Sequence, residues 1–187
     1  MKKAKSLKRV RAGKKASRKG KSFEREVSKI LSNWWGEKNS FCRVPQSGGW
    51  NVVSDEDLRV RTRGDLVTPK DFPFVISCKK VESFEFHTIL SEKNIFHKWW
   101  NEIEEIAFNC GKRPMLIFSR NRWKIFVALL YEDRCKMDVD FDEMIIKVKG
   151  KKLSIFTLND FVNKVLGDNI RVNYEKMLVM QNGSRQR

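Results

Sequence analysis

Asp65 and Lys79 are the residues whose types and spacing best suit chemistry in this sequence. Asp65 follows Gly64, and Lys79 ends the apolar run Phe74-Val-Ile-Ser-Cys-Lys79. In an extended strand side chains alternate, so Val75, Ser77 and Lys79 share one face while Phe74, Ile76 and Cys78 share the other. An ammonium at the end of a buried strand costs desolvation unless a carboxylate or phosphate compensates it, and the preceding predicted strand supplies the Asp65 carboxylate. The acid and the lysine should therefore converge.

Positioning these side chains requires two short strands, around Asp65–Thr68 and Phe74–Lys79, joined through the turn-forming Pro69-Lys-Asp. Upstream, Ser22 is a good N-cap for a helix whose Phe23, Val27, Ile30, Leu31 and Trp34 form an apolar stripe ending at Gly36; Glu24 and Glu26 flank the stripe on opposite sides. Pro45-Gln-Ser-Gly-Gly-Trp50 and the charged segment through Arg63 have turn chemistry and little periodicity, which predicts a mobile loop. Downstream, Ser91 can cap a helix carrying Ile95, Phe96, Trp99, Trp100, Ile103, Ile106 and Ala107 at helical period as far as Gly111, with the aromatic pair in the core. Pro114–Phe118 and Trp123–Leu130 read as buried strands with Ser119-Arg-Asn-Arg as their hairpin turn. Met144–Val148 and Leu153–Phe156 read as a further pair about Lys-Gly-Lys, and Asp160–Leu166 as a short helix. This order of elements predicts an α/β domain with a mixed central β-sheet flanked by helices.

With 187 residues and 41% hydrophobic content, the chain can bury the core of one compact domain. Its 39 Lys and Arg against 23 Asp and Glu leave a net charge of +16 and a pI near 9.9, which favours a polyanionic partner, nucleic acid foremost. Residues 1–21 carry many basic side chains and no acid, among them Lys14, Lys15, Arg18, Lys19 and Lys21, and have too few apolar positions to fold alone. They are expected to form a flexible arm on DNA phosphates, with a solvated tail or localisation signal as the alternative, ahead of a domain at 22–170 and a C-terminal tail at 171–187. Cys42, Cys78, Cys110 and Cys135 form no CxxC pair and show no zinc-ligand spacing to His87 or His97, so reduced cysteines are expected and a zinc finger is not. No apolar run approaches the ~20 residues of a membrane span, and no signal-peptide core follows the basic start; a soluble, cytoplasmic protein is expected.

Asp65 followed by the Ser77-Cys78-Lys79 strand resembles the pattern of the PD-(D/E)XK nuclease superfamily, in which an aspartate precedes a strand bearing acid, any residue, lysine. Arg18-Lys-Gly-Lys-Ser-Phe-Glu-Arg-Glu26 is similar to the opening helix of archaeal-type Holliday junction resolvases, and Arg43-Val-Pro-Gln-Ser-Gly-Gly49 to their mobile serine-bearing loop. The resemblance spans residues 18 to 80. It implies a restriction-endonuclease-like core and a DNA endonuclease dependent on Mg2+, for which Mn2+ would substitute. It further implies four-way junctions or other branched DNA as substrate and a homodimer, because resolution needs two coordinated cuts. By that resemblance Asp65 binds Mg2+, the Cys78 backbone carbonyl assists, and Lys79 orients or activates the attacking water. Phosphodiester hydrolysis suits such a set, since a cation neutralises non-bridging oxygens and acidifies a bound water. Glu24 matches the acid of the resolvase helix, with Glu26 the alternative, while Arg43, Ser47 and Lys80 are expected to meet DNA.

Ser77 departs from this pattern, occupying the place of the usual acid. A hydroxyl cannot replace the charge of a carboxylate at a divalent ion. Either the site binds DNA without cutting, or another carboxylate takes over. Some restriction endonucleases of the superfamily are similar in the second respect, with a serine there and a glutamate from the next helix about a dozen residues beyond the lysine. Glu92 fits that spacing as catalytic residue and metal ligand, Glu82 and Glu85 are nearer in sequence, and an ordinary first-turn helix charge is the alternative for Glu92. A sequence- or end-specific nuclease of restriction, repair or genome processing is the enzyme alternative to a resolvase.

Overall fold

A computed structural model describes residues 2–45, 56–91 and 94–172. The chain opens with α1 (Lys2–Trp35), followed by β1 (Cys42–Arg43), α2 (Glu56–Arg61) and β2 (Leu66–Val67), which pairs antiparallel with β1. Next, β3 (Phe74–Val81), a short 3-10 helix at Phe86–Leu90, α3 (Ile95–Asn109) and β4 (Arg113–Arg120) form a crossover unit in which β3 and β4 run parallel, Phe74 opposite Arg113 and Val81 opposite Arg120. The remainder of the sheet is antiparallel: β5 (Phe126–Leu130), then, after α4 (Tyr131–Cys135), the hairpin of β6 (Met144–Val148) and β7 (Lys151–Thr157). α5 (Leu158–Lys164) and α6 (Gly167–Val172) complete it. The strands lie in the order β3-β4-β5-β7-β6, so β3 is an edge of the expected mixed sheet.

Strand alternation divides the core between the two faces of this sheet. Phe74, Ile76 and Cys78 of β3, with Met115 and Ile117 of β4, pack against Phe23, Val27 and Leu31 of α1. Val75, Leu116 and Phe118 face Phe96, Trp99, Trp100 and Ile103 of α3. The aromatic pair of α3 is therefore core, as its spacing predicts. Where α1 ends, Trp35, Phe41 and Phe72 meet edge to face, and Trp34 Nε1 donates to the Val165 carbonyl at 2.6 Å. These contacts fix α1 against the sheet, which is what allows a helix residue to reach the edge of β3.

Several boundaries differ from those the sequence predicts. α1 starts at Lys2 and runs through Ser22, which lies inside the helix rather than at its cap. Lys, Arg and Ala have good helix propensity, and a docked helix extends backwards without a new nucleation step, so the basic stretch continues as helical backbone. α3 is capped by Asn94, whose side chain accepts from the Phe96 N–H at 2.7 Å, while Ser91 closes the preceding 3-10 helix through its N–H to the Thr88 carbonyl. Within the segment read as a loop through Arg63, residues Glu56–Arg61 are helical. α5 starts at Leu158 because Thr157 accepts from the Asp160 N–H. The Lys149–Gly150 turn, with φ of 47° and 80°, is the left-handed pair that a tight hairpin requires.

Candidate active site

The site is built where β2 meets the free edge of β3. The Asp65 N–H donates to the Ile76 carbonyl at 2.8 Å, which places Asp65 beside β3 on the side away from β4. Gly64 permits that approach by its lack of a side chain: a Cβ there would lie 2.3 Å from the Ile76 carbonyl oxygen and 3.0 Å from Val75 Cγ1. Asp65 Oδ2 accepts from the Cys78 N–H at 2.6 Å and from the Ser77 hydroxyl at 3.1 Å. Because the N–H and C=O of one strand residue point to the same edge, the Cys78 carbonyl also faces the Asp65 side. Ser77, at the acid's position in the strand pattern, thus positions the neighbouring carboxylate by a hydrogen bond.

Around this centre four cations meet four glutamates. From α1, Glu24 Oε2 accepts from Arg43 Nε of β1 at 2.5 Å, both side chains largely buried. Lys79 Nζ lies 3.6 Å from Glu102 Oε2 of α3. Lys80 points to the opposite face, 3.6 Å from Glu26 Oε2 and 4.9 Å from the centre of the Phe23 ring. Lys19 lies 3.6 Å from Glu82. The two acids flanking the α1 stripe are thereby separated in role: Glu24 turns to β1 and the Cys78 side of β3, Glu26 to Lys80.

Burial pushes the Cys78 thiol well above its ordinary pKa, and the charges of Asp65 and Glu24 push it further against the opposing pull of Lys79. Cys78 is accordingly a neutral thiol at physiological pH, and the hard donors near it are carboxylates and main-chain oxygen. Among the described residues no three His, Cys, Asp or Glu side chains gather into a complete metal cage. Magnesium does not need one, because it retains several waters and is held through one or two carboxylates together with substrate phosphate. Asp65 and the Cys78 carbonyl, on the same edge of β3, fit that donor set, with Glu24 of α1 close enough for its charge to act on Cys78.

Among the sequence-predicted residues, Glu24 meets Arg43 and Asp65 meets Cys78, whereas Lys79 pairs with Glu102 of α3 rather than with Asp65, and Lys80 lies on the opposite face against Glu26. Arg18 is exposed and Lys21 half-buried along α1; Lys14 and Lys15 lie on its helical backbone. Ser47 and Glu92 lie outside the described residues. Glu102 is the residue that sequence reasoning missed. It sits between Trp99 and Ile103 as one polar position of an amphipathic helix, and nothing local distinguishes it from Glu104 or Glu105. The pairing of Arg43 to Glu24 across the α1–β1 connection has no local signal either.

A search of curated proteins and of solved structures returned no match. The chain does match the family model described as “Phage putative PDDEXK endonuclease” over residues 15–171, which takes in the whole sheet together with Glu24, Arg43, Asp65, Cys78, Lys79 and Glu102. With most of its length matched, the chain belongs to this PDDEXK endonuclease family.

Proposed function

We propose that this chain is a Mg2+-dependent endodeoxyribonuclease that cuts branched DNA, four-way junctions above all, as a homodimer. The observation that supports it is the seat of Asp65 on the free edge of β3, bonded to Ser77 and Cys78, one strand alternation from Lys79. Asp65 and the Cys78 carbonyl would hold the ion, with Glu24 or Glu92 supplying a second carboxylate. When bound, magnesium would neutralise non-bridging phosphate oxygens and make a water acidic enough to attack. Lys79 orients that water and meets the charge developing on the phosphate, while Glu102 holds the lysine side chain in place before substrate arrives. Arg18, Lys19, Lys21 and Lys80 contact backbone phosphates, as do Lys14 and Lys15, and Arg43 and Ser47 approach DNA from the β1 side. The preference for junctions rests on the resolvase-like segments from Arg18 to Glu26 and from Arg43 to Gly49, and the dimer on the need for paired incisions.

Labelled four-way junction and linear duplex of the same sequence, incubated with and without Mg2+, test this reading. Cleavage should require the metal, fall on opposing strands of the junction, and vanish in Asp65→Ala and Lys79→Ala while binding persists. Undiminished cleavage by either variant removes the site assignment, and equal rates on both substrates favour a restriction or repair enzyme. Ser77 in the acid's place favours a second reading, a module that binds DNA without cutting it. A parent protein that binds DNA and never nicks it, with Mg2+ or Mn2+, establishes that one.

A further inference from the structure

The turn between β4 and β5 presents an aromatic ring that the fold covers only in part. Trp123 is 42% exposed, whereas Trp99 and Trp100 are buried at 7% and 1%. The Arg120 guanidinium lies over the Trp123 ring, 3.5 Å from its centre, and the rings of Phe86 and Phe126 flank it at 5.5 and 6.1 Å. The turn is held firmly. Buried Ser119 donates towards the Lys124 carbonyl at 3.1 Å, Arg120 Nη1 donates to the Phe84 carbonyl at 3.3 Å, and the Asn121 N–H donates to the Val81 carbonyl at 3.2 Å. Arg122 takes the left-handed conformation, φ 61°, that closes it.

Its position ties the ring to the site. Because β3 and β4 are parallel, the turn emerges at the same end of the sheet as Lys79 and Lys80, with Lys80 directly opposite Ser119. Arg122 and Lys124 are exposed beside the ring, Glu82 and Glu85 on the adjoining segment face Lys19 and His87, and of the two acids lining the cavity beside Phe86 and Phe126, Asp142 and Glu143, the second pairs with Arg134. A positively charged surface carrying a planar aromatic ring fits a nucleic acid strand: phosphates meet the cations and a base meets the ring. Bases inside a continuous duplex already have both faces stacked, so a face is free on an unpaired base, at a branch, flap or single strand, and in a duplex only at its two end pairs.

We propose that Trp123, with Arg120 against it, is a stacking platform for an unpaired nucleobase of the DNA strand engaged by the adjoining site. This rests on the reading that the chain binds DNA and is independent of whether it cuts. The test measures equilibrium binding without divalent metal to a labelled single strand, a flapped duplex and a blunt duplex of matched sequence. Trp123→Ala should weaken single-strand and flap binding by about 5- to 150-fold, leave the blunt duplex nearly unchanged, and preserve the salt slope, since no charge is removed. Trp123→Phe should recover most of the affinity. In the parent protein, 2-aminopurine at one of the unpaired positions should lose emission on binding as it stacks, a readout that needs no variant to fold. Equal losses on all three DNAs, no loss on any, or unchanged 2-aminopurine emission at every unpaired position would overturn the platform. Magnesium-dependent cleavage by the parent, run alongside, separates that failure from failure of the nuclease reading.

Discussion

Gly64→Ala is the smallest change that tests how Asp65 is placed. The added methyl would sit 2.3 Å from the Ile76 carbonyl oxygen, and that neighbour is strand backbone, which cannot swing aside as a side-chain tip could. Reaching even a 3.0 Å contact requires a retreat of about 0.7 Å, the difference between the two distances. The retreat falls on Asp65 itself, whose N–H bonds that same oxygen at 2.8 Å and whose Oδ2 bonds the Cys78 N–H at 2.6 Å. A misplacement near 1 Å costs on the order of 10²-fold in rate, and weakening these hydrogen bonds costs about 1–3 kcal/mol of stability. Single-turnover cleavage at saturating enzyme isolates the chemical step, and urea unfolding with a binding titration shows that the fold and DNA affinity persist. Cleavage at the parental rate in a folded Gly64→Ala protein would refute the claim that the close approach of β2 sets the catalytic geometry.

Other consequences are separable from that one. Glu102→Gln should lower cleavage by about 10-fold through loss of the group that positions Lys79, yet cost little stability, since an exposed pair is worth roughly 0–1 kcal/mol; an unchanged rate would leave Glu102 a surface charge. Burial, reinforced by Arg61, lowers the Lys112 pKa from 10.5 to about 8, and its Nζ donates to the Phe72 carbonyl. Between those values the unfolded chain binds the extra proton, so parental stability should rise with pH relative to Lys112→Met from about 8 to 10.5, with no relative change below 8. A pH-independent difference in unfolding free energy would contradict this. Deleting residues 1–17 should weaken DNA binding and flatten its dependence on salt by about 0.9 for each phosphate no longer neutralised, and an unchanged slope would show that the arm touches no phosphate.

The strand pattern of residues 74–79 was legible because alternation is a local property, and the two faces of β3 divide as it requires. The helical stripe from Phe23 to Trp34 was legible for the same reason. What escaped the sequence was decided at a distance. Ser22 looked like a cap, yet whether a helix starts there depends on whether the residues before it gain by joining a helix already docked. Asn94 outcompeted Ser91 through a bond to one particular N–H. Gly64 suggests flexibility when read locally, but its role is steric and belongs to the Ile76 carbonyl across the turn. Glu102 carries no signal of its own, because the pairing that gives it a role exists only once α3 has crossed the sheet.

The ion pairs around Asp65 differ in a way that bears on substrate entry. Arg43 and Glu24 are short-range and largely shielded, at 18% and 15% side-chain exposure, so separating them would leave a desolvated charge unmatched. The lysine pairs are looser. Lys79 with Glu102, Lys80 with Glu26 and Lys19 with Glu82 each stand at 3.6 Å, with the glutamate 47%, 51% and 75% exposed. Pairs of that kind contribute little, and a phosphate can replace the carboxylate at little cost while the glutamate swings into water. The edge of β3 therefore holds its lysines extended and matched in the absence of substrate, which reduces the entropy that binding must remove. The same arithmetic separates the two groups by salt. Raising ionic strength should loosen the lysine pairs first, leaving Glu24 and Arg43 in place, so the α1–β1 side of the site is its fixed wall.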